Sequence, residues 1–555
     1  MKASQVAVDI LVEAGIDTAF GIPGGSAGIF FNRIHERPDA IRFVLTRHEQ
    51  TTSIMADVYG RLTGRPGVAV GQGVFMASSG AFGIMEAAAS SSPMLVLTDT
   101  SDGGAFAQHA AYQSGTGEYG SFDLPATFRT IAKFVAYAVT AKEVVQGVQL
   151  GIKHSLAGRP GPSVVLCRAD SLDAELGAED RPLLYPSPGY WRSTRTVADP
   201  ALIEQAASIL GSAERPVIVA GNGVHVGRAW KGLRALAERL GAPVATSAKG
   251  RSAIEDTHRL SVGLMGAFGR SEANRSVAEA DVVLVAGCKL APNTTRYENP
   301  ELLDPRRQKI VQIDIDPRNS GWTYPVDIAL AGDVDLDFAE LLAALTRQGE
   351  TNPREPWFAR DSATADPAPN DSGIVLRPQR IVDVLNDVLP TDAMITMDAG
   401  KNRLFTMHGF RAKQPGSMIV PGGIAGMGWA TPAAVAAKIV NPTRPVVAIA
   451  GDGGFSMTIH ALATAVQANA PLIAVVMNDS ALGWVRDNRP HMQHVADLSA
   501  VDFAKVAEGF GCRSAHAGDA QGLATALRDA LSSTVPFVID VATDIAVSHR
   551  EIYSP

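Results

Sequence analysis

Residues 445–483 read PVVAIAGDGGFSMTIHALATAVQANAPLIAVVMNDSALG. An apolar, β-branched run ends at Gly451-Asp452-Gly453-Gly454. A segment of helical composition follows, and a second apolar run ends at Asn478-Asp479-Ser480. Strands that are apolar along their whole length are buried on both faces, which is the pattern of a parallel sheet covered by helices. Ligands of such sheets sit beyond the carboxyl ends of the strands, so Asp452 and Asp479 are expected in one crevice. Carboxylate oxygens suit Mg²⁺, which commonly shares its coordination sphere with phosphate groups. The glycines Gly451, Gly453 and Gly454 let backbone N–H groups approach a diphosphate at a helix start. A lone Gly-Asp-Gly is more often a plain turn; the second acidic cluster at a matching strand end favours a site.

The same rhythm extends through the chain. PGVAV, PMLVLTD, PSVVLC, PVIVAG, DVVLVAG, KIVQIDI and PFVIDVA also read as buried strands, separated by Ala- and Leu-rich segments such as VAVDILVEAG and ALIEQAASIL. Alternating strand and helix signals imply an α/β chain of doubly wound parallel sheets. Two stretches break the rhythm: 176–199, with prolines and little periodicity, and the polar, Pro-rich 349–377. They divide the chain into expected domains at about 1–175, 200–348 and 378–555, each of ordinary size.

Composition narrows the function class. The chain has 555 residues, of which 46% are hydrophobic and 19% charged, enough for large cores. The formal net charge of −8 gives no support for nucleic-acid binding. Cys167, Cys288 and Cys512 lie far apart, so neither a zinc ribbon nor a disulfide framework is expected. The opening MKASQVAVDILVEAGID reads as an amphipathic helix rather than a signal peptide, and no apolar run is long enough to span a membrane. A cytoplasmic protein is the expectation.

The 445–483 stretch resembles the motif of thiamine-diphosphate-dependent enzymes. The resemblance covers nearly the whole chain and is strongest to the acetolactate-synthase-like and pyruvate-oxidase-like branch. It implies pyrimidine-binding, central Rossmann-like and diphosphate-binding domains, with Mg²⁺ held by Asp452, Asp479 and the carbonyl of Ala481. It places Glu49, in RHEQTTSIMADVYGRLTGRPGVAV, as the glutamate that hydrogen-bonds the cofactor's aminopyrimidine ring and starts its proton relay. A partly desolvated carboxylate suits that task. PGGIAGMGWATPAA (421–434) resembles the stretch that bends the cofactor, with Met427 as an apolar wedge and the Ala425 carbonyl as an acceptor. Gly400, Lys401 and Asn402, after the strand MITMD, are implied to line the diphosphate.

Other features concern the substrate side. GIPGGS (21–26) resembles the first substrate loop of this branch, and the N–H groups of Gly24 and Gly25 are candidates for stabilising an alkoxide. GQGVFMASSG (71–80) puts Phe75 and Met76 where relatives have smaller residues, which implies a more apolar pocket. His109, Gln113, Trp484, Arg486 and Asn488 complete the candidate pocket; Asn488 stands where the synthases carry a tryptophan. The resemblance leaves the central domain free to hold FAD, ADP or nothing, with Gly221-Asn222-Gly223 only a weak nucleotide signal. It implies a carboligase or lyase acting on a 2-oxo acid, with pyruvate as donor and a carbonyl compound as acceptor, in a homodimer or homotetramer. Alternatives are a decarboxylase, a flavin-linked oxidase, a diketone-cleaving hydrolase and a non-catalytic cofactor-binding subunit.

Overall fold

Three sheets of six strands each form the chain, and every strand pairing is parallel. The structure, a computed structural model, describes residues 1–101, 112–118, 120–177, 183–191, 195–358 and 375–553. The first sheet contains β1 (Thr18–Gly21), β2 (Arg42–Leu45), β3 (Gly67–Val70), β4 (Met94–Asp99), β5 (Phe134–Ala138) and β6 (Pro162–Cys167), in the order β2-β1-β3-β4-β6-β5. The second contains β7 (Pro216–Ala220), β8 (Val244–Thr246), β9 (Ser261–Leu264), β10 (Val282–Ala286), β11 (Lys309–Ile313) and β12 (Ile328–Leu330), in the order β12-β11-β10-β7-β8-β9. The third contains β13 (Met394–Met397), β14 (Met418–Ile419), β15 (Val446–Gly451), β16 (Ile473–Asn478), β17 (Arg513–Ala517) and β18 (Phe537–Ala542), in the order β14-β13-β15-β16-β18-β17. The α/β class with parallel sheets is therefore as the sequence implies. The first and third sheets share one strand order, and each reverses direction of growth between its first and third strands. That switch point opens a crevice at the carboxyl ends.

The first and third sheets are joined through helices. Helix Glu49–Thr63 packs on helix Ala430–Val440, and one apolar core runs through both, from Ile54, Met55 and Tyr59 to Trp429, Ala433 and Ala437. The alanine-rich face of the second helix lets the two axes approach closely. Arg61 stacks over the fully buried Trp429 ring, 5.1 Å from its centre. Helix Ala81–Ser90 crosses the first helix at Gly83, where a Cβ would lie 2.4 Å from the Ser53 backbone. That glycine sets how deep helix 81–90 sits, and with it the position of Glu86.

A buried ion pair inside the central domain reaches out to the third. The Arg251 guanidinium donates to both Asp256 oxygens at 2.7 and 2.9 Å, and also to the Met407 and Phe410 carbonyls. Asp256 in turn accepts from Ala412 N–H. Both side chains are almost fully buried. Removing one partner strands the other charge in the interior. Arg251→Met should therefore lower the stability of the first unfolding transition by about 3–5 kcal/mol, measured by urea titration. A loss below about 1 kcal/mol, the size expected for an exposed pair, would contradict this role.

Candidate active site

The third sheet builds an acidic crevice at its switch point. β13 delivers Asp398 and the start of helix Lys401–Gly409. β15 runs directly into helix Asp452–Met457, and β16 ends at Asn478-Asp479. One Asp452 oxygen accepts the Ala481 N–H at 3.1 Å, so the β15 and β16 loops are tied together at the two segments the sequence singles out. Asn478 is spent on support: its amide donates to Asp540 at 3.0 Å and to the Val501 carbonyl at 3.1 Å. Burial, then the neighbouring Asp479 charge, push Asp452 up to about 7. Burial also raises Asp479, against the opposing charge of Lys401. The Lys401 ammonium lies 3.7 Å from Asp479 and donates to the Ile545 carbonyl. A Cβ on Gly453 would lie 2.6 Å from the Leu482 side chain, and one on Gly454 would lie 2.9 Å from the Asp398 carboxyl, so a side chain at either position would displace a neighbour in the crevice. Asn402 donates to the Asp398 and Ile449 carbonyls and holds the β13 and β15 ends in register.

The loop 421–428 is fastened at both ends by buried carboxylates. Glu86 accepts from the N–H groups of Gly422, Gly423, Ile424 and Ala425 at 2.9–3.1 Å. Asp398 accepts the Gly428 N–H at 2.8 Å. Ala425 adopts φ +53°, a costly conformation for a residue with a Cβ, and the Glu86 contact to its N–H holds it there. Met427 follows in the segment between the two anchors. Burial works to raise the Glu86 pKa, but the Arg61 charge, the Ser90 hydroxyl and the loop N–H groups outweigh it and bring it down to about 2. Sequence reasoning missed Glu86. The signal was available: it is the one charged residue in the small and apolar run 77–92, which leaves it little choice but a buried pairing.

The first sheet presents a second set of loops. Glu49 opens helix Glu49–Thr63 behind the N-cap His48; it is half-buried and has no hydrogen-bond partner among the described residues. The turn around it touches the third domain, where Thr51 meets His460 at 2.9 Å. Gly24 and Gly25 sit over Gln72 and Asp99: a Cβ on Gly25, at φ +55°, would lie 2.9 Å from Gln72 and 3.0 Å from Asp99. Asp99, at the end of β4, accepts from Ser26, Ala27 and Gly73 N–H groups and so couples the 21–26 and 71–80 loops. Gln72 donates to Gln113 at 2.7 Å and to Ser101 at 2.9 Å. Gly24, Gly25 and Gln113 are thus brought together, with Phe75 part-exposed and Met76 buried on the same loop system. Asp99 and Gln72 were not singled out from sequence, although Asp99 ends a buried strand just as the acidic cluster of β16 does. His109 lies outside the described residues.

Three further candidates are engaged elsewhere, two through polar groups and Trp484 through its ring. Arg486 pairs with Asp497, Asn488 bonds the Trp484 carbonyl and Arg550, and Trp484 packs on His549 with ring centres 4.2 Å apart. In the central domain, Gly221 and Gly223 pack against Gly287 and Cys288, where added Cβ atoms would lie within 2.5 Å, and Asn222 donates to the Ser90 carbonyl. Those glycines are accounted for by packing.

An acidic strand-end crevice, a strained and anchored loop beside it, and a half-buried glutamate with no hydrogen-bond partner among the described residues come together in a chain of two like domains and a third. Residues 1–115, 203–345 and 398–541 match, in turn, the N-terminal TPP binding domain, the central domain and the C-terminal TPP binding domain of the thiamine pyrophosphate enzymes. The chain belongs to that family and is a thiamine-pyrophosphate-dependent enzyme. It is 31% identical to a protein of Methanocaldococcus jannaschii named "Probable acetolactate synthase large subunit", over 98% of this chain and 92% of that one. It is 28% identical to the acetolactate synthase isozyme 3 large subunit of Escherichia coli, over 92% of this chain and 89% of the relative. It is 29% identical to the acetolactate synthase large subunit of Parasynechococcus marenigrum, over 98% and 87%.

The Glu86 anchor yields a pH-dependent prediction. Its folded pKa, about 2, lies below the ordinary 4.5. The stability it contributes is therefore complete above about pH 4.5 and is lost as pH falls through about 2. Glu86→Gln should unfold at a lower temperature than wild type at pH 7, by the equivalent of about 2–3 kcal/mol, with the gap closing below pH 4. A gap that stays constant down to pH 2.5 would contradict the anchor.

Proposed function

We propose that this chain is a Mg²⁺- and thiamine-diphosphate-dependent carboligase of the acetolactate-synthase kind, taking a 2-oxo acid such as pyruvate as donor and a second carbonyl compound as acceptor. The observation that carries the reading is the pairing of Asp452 and Asp479 at neighbouring strand ends. Asp452 is buried and the Asp479 side chain nearly so, and burial is the main force raising the pKa of each. Such a donor set fits a hard divalent cation bridging to a diphosphate. The residues that would hold the metal are Asp452, Asp479 and the Ala481 carbonyl. Gly451, Gly453, Gly454, Gly400, Lys401 and Asn402 would line the diphosphate, and Ala425 and Met427 the bent rings.

When bound, thiamine diphosphate supplies a carbon nucleophile and an electron sink for loss of CO₂ from the donor. The chain's own groups do the rest. Glu49, which has no hydrogen-bond partner among the described residues, would hold a proton at the cofactor's aminopyrimidine ring. The loop fixed by Glu86 and Asp398 holds that ring in place. Gly24 and Gly25 N–H groups, in the loop whose Ser26 and Ala27 N–H groups Asp99 accepts, would stabilise an alkoxide. Phe75 and Met76 narrow the acceptor side and exclude water. Phe75, Met85, Ile424 and Met457 are exposed apolar residues on the loops and helices around this region, as expected of a face that a second copy covers. We therefore propose a homodimer, or a tetramer of such dimers; the scattered, unpaired cysteine spacing read from the sequence fits a cytoplasmic protein. Among the described residues no helix is long and apolar enough to cross a membrane.

The test is product analysis by mass spectrometry with thiamine diphosphate, Mg²⁺ and ¹³C-pyruvate, alone and with a panel of aldehydes and diketones. Labelled acetolactate or another hydroxyketone is expected, with Glu49→Gln at least about 100-fold slower while still binding cofactor. Labelled acetaldehyde alone would replace the carboligase reading with decarboxylation. No turnover by cofactor-loaded protein would remove pyruvate as the donor.

A further inference from the structure

The acidic crevice holds more carboxylates than the metal set uses. Asp487, on the helix that follows the β16 loop, shares a cation with Asp479. Between them stands Lys401. Its ammonium is 3.7 Å from Asp479 and 3.8 Å from Asp487, and its side chain is 7% exposed. Among the described residues, no other lysine or arginine pairs with either aspartate. The geometry is built rather than incidental. Gly400 turns the chain at φ +125° into the helix that Lys401 opens, and Gly483 leaves room for its stem: a Cβ there would lie 2.7 Å from Lys401 Cδ and 2.9 Å from Asp479. Asp487 is fixed from the far side by the buried His549, whose Nδ1 and backbone N–H lie 2.8 and 3.1 Å from one of its oxygens. His549 is itself wedged against Trp484.

We propose that Lys401 is the resident counter-ion of the metal and diphosphate centre, a positioning residue that holds Asp479 and Asp487 in place and tunes the site between its two ligands of opposite sign. The inference rests on the cofactor reading given above. It has a signature that a merely structural lysine lacks. A fixed positive charge at this distance repels a divalent cation and attracts a diphosphate, so deleting it moves the two affinities in opposite directions. It also recasts Trp484 and Asp487: they brace the counter-ion, and the 483–488 helix is held to the crevice through it.

The experiment uses the full-length protein and two probes. Mn²⁺ is titrated without cofactor and followed by the electron paramagnetic resonance of the free ion. Thiamine diphosphate is titrated at saturating Mg²⁺ by calorimetry. Lys401→Met should bind Mn²⁺ more tightly and thiamine diphosphate more weakly, each by roughly five- to tenfold. Asp487→Asn should shift both in the reverse sense, and Lys401→Met/Asp487→Asn should return both to within about threefold of wild type. Lys401→Arg, which keeps the charge, should stay close to wild type in both. Two affinities that fall together in Lys401→Met, or neither moving, would overturn the counter-ion role while leaving the cofactor assignment intact. So would loss of both in Lys401→Arg. Failure of the wild-type protein to bind either probe would overturn the cofactor reading itself, and the counter-ion with it.

Discussion

Two carboxylates buried at the ends of neighbouring parallel strands repel each other unless a cation stands between them, and the geometry of the third domain follows from that constraint. Asp452 and Asp479 are brought there by β15 and β16, whose apolar sequences commit them to the sheet interior. Burial takes away the water that would otherwise screen the pair. Gly453, Gly454 and Gly483 remove side chains that would crowd the crevice, and Asn478 and Asp540 brace its floor. On the proposed reading, a cofactor complex of the right charge offsets the cost of holding these carboxylates together, because a ligand that binds only the folded state stabilises it.

The first domain uses the same scaffold for a different end. Its strand order matches that of the third, so β3 corresponds to β15 and β4 to β16. Where β15 leads into Gly451-Asp452-Gly453, β3 leads into Gly71-Gln72-Gly73. Where β16 ends at Asn478-Asp479, β4 ends at Asp99. The neutral Gln72 bonds to Gln113 and Ser101, and Asp99 spends its oxygens on backbone N–H groups of its own loops. One sheet therefore gathers its strand-end carboxylates beside its own loop N–H groups and Lys401, and the other spends its strand-end carboxylate on the N–H groups of the 21–26 and 71–80 loops. Glu86 joins the two, reaching from the first domain to clamp the loop that borders the crevice of the third.

The sequence disclosed the parts of this arrangement that physics writes in long, uniform signals. PGVAV, PMLVLTD, PSVVLC, PVIVAG, DVVLVAG, KIVQIDI, PVVAIAG, PLIAVVM and PFVIDVA are all strands, and each is an interior strand of its sheet. Covered on both faces, they had to be apolar throughout. Edge strands escaped notice for the converse reason. Arg42–Leu45 and Arg513–Ala517 are only partly buried and carry polar residues, so neither alternation nor a continuous apolar run marks them. Within the site, Asp452 and Asp479 were legible because strand ends are predictable from local sequence. Glu86, Asp99 and Asp487 were not, because their roles depend on partners far away in the chain: Glu86 on the 422–425 loop, Asp99 on residues 26, 27 and 73, Asp487 on Lys401 and His549. Trp484 was a pocket candidate in the sequence, and its ring packs on His549, a contact that only the folded C-terminal segment creates.

The central claim is that the Asp452–Asp479 crevice binds a diphosphate through a divalent metal. Calorimetric titration of thiamine diphosphate into metal-free protein, with and without Mg²⁺, and again with Asp452→Ala, tests it most directly. The account predicts saturable binding in Mg²⁺, and loss of that binding both in a chelator and in Asp452→Ala protein that keeps its wild-type circular dichroism. Equal affinity with and without the metal, or undiminished affinity in the Asp452→Ala protein, would contradict it.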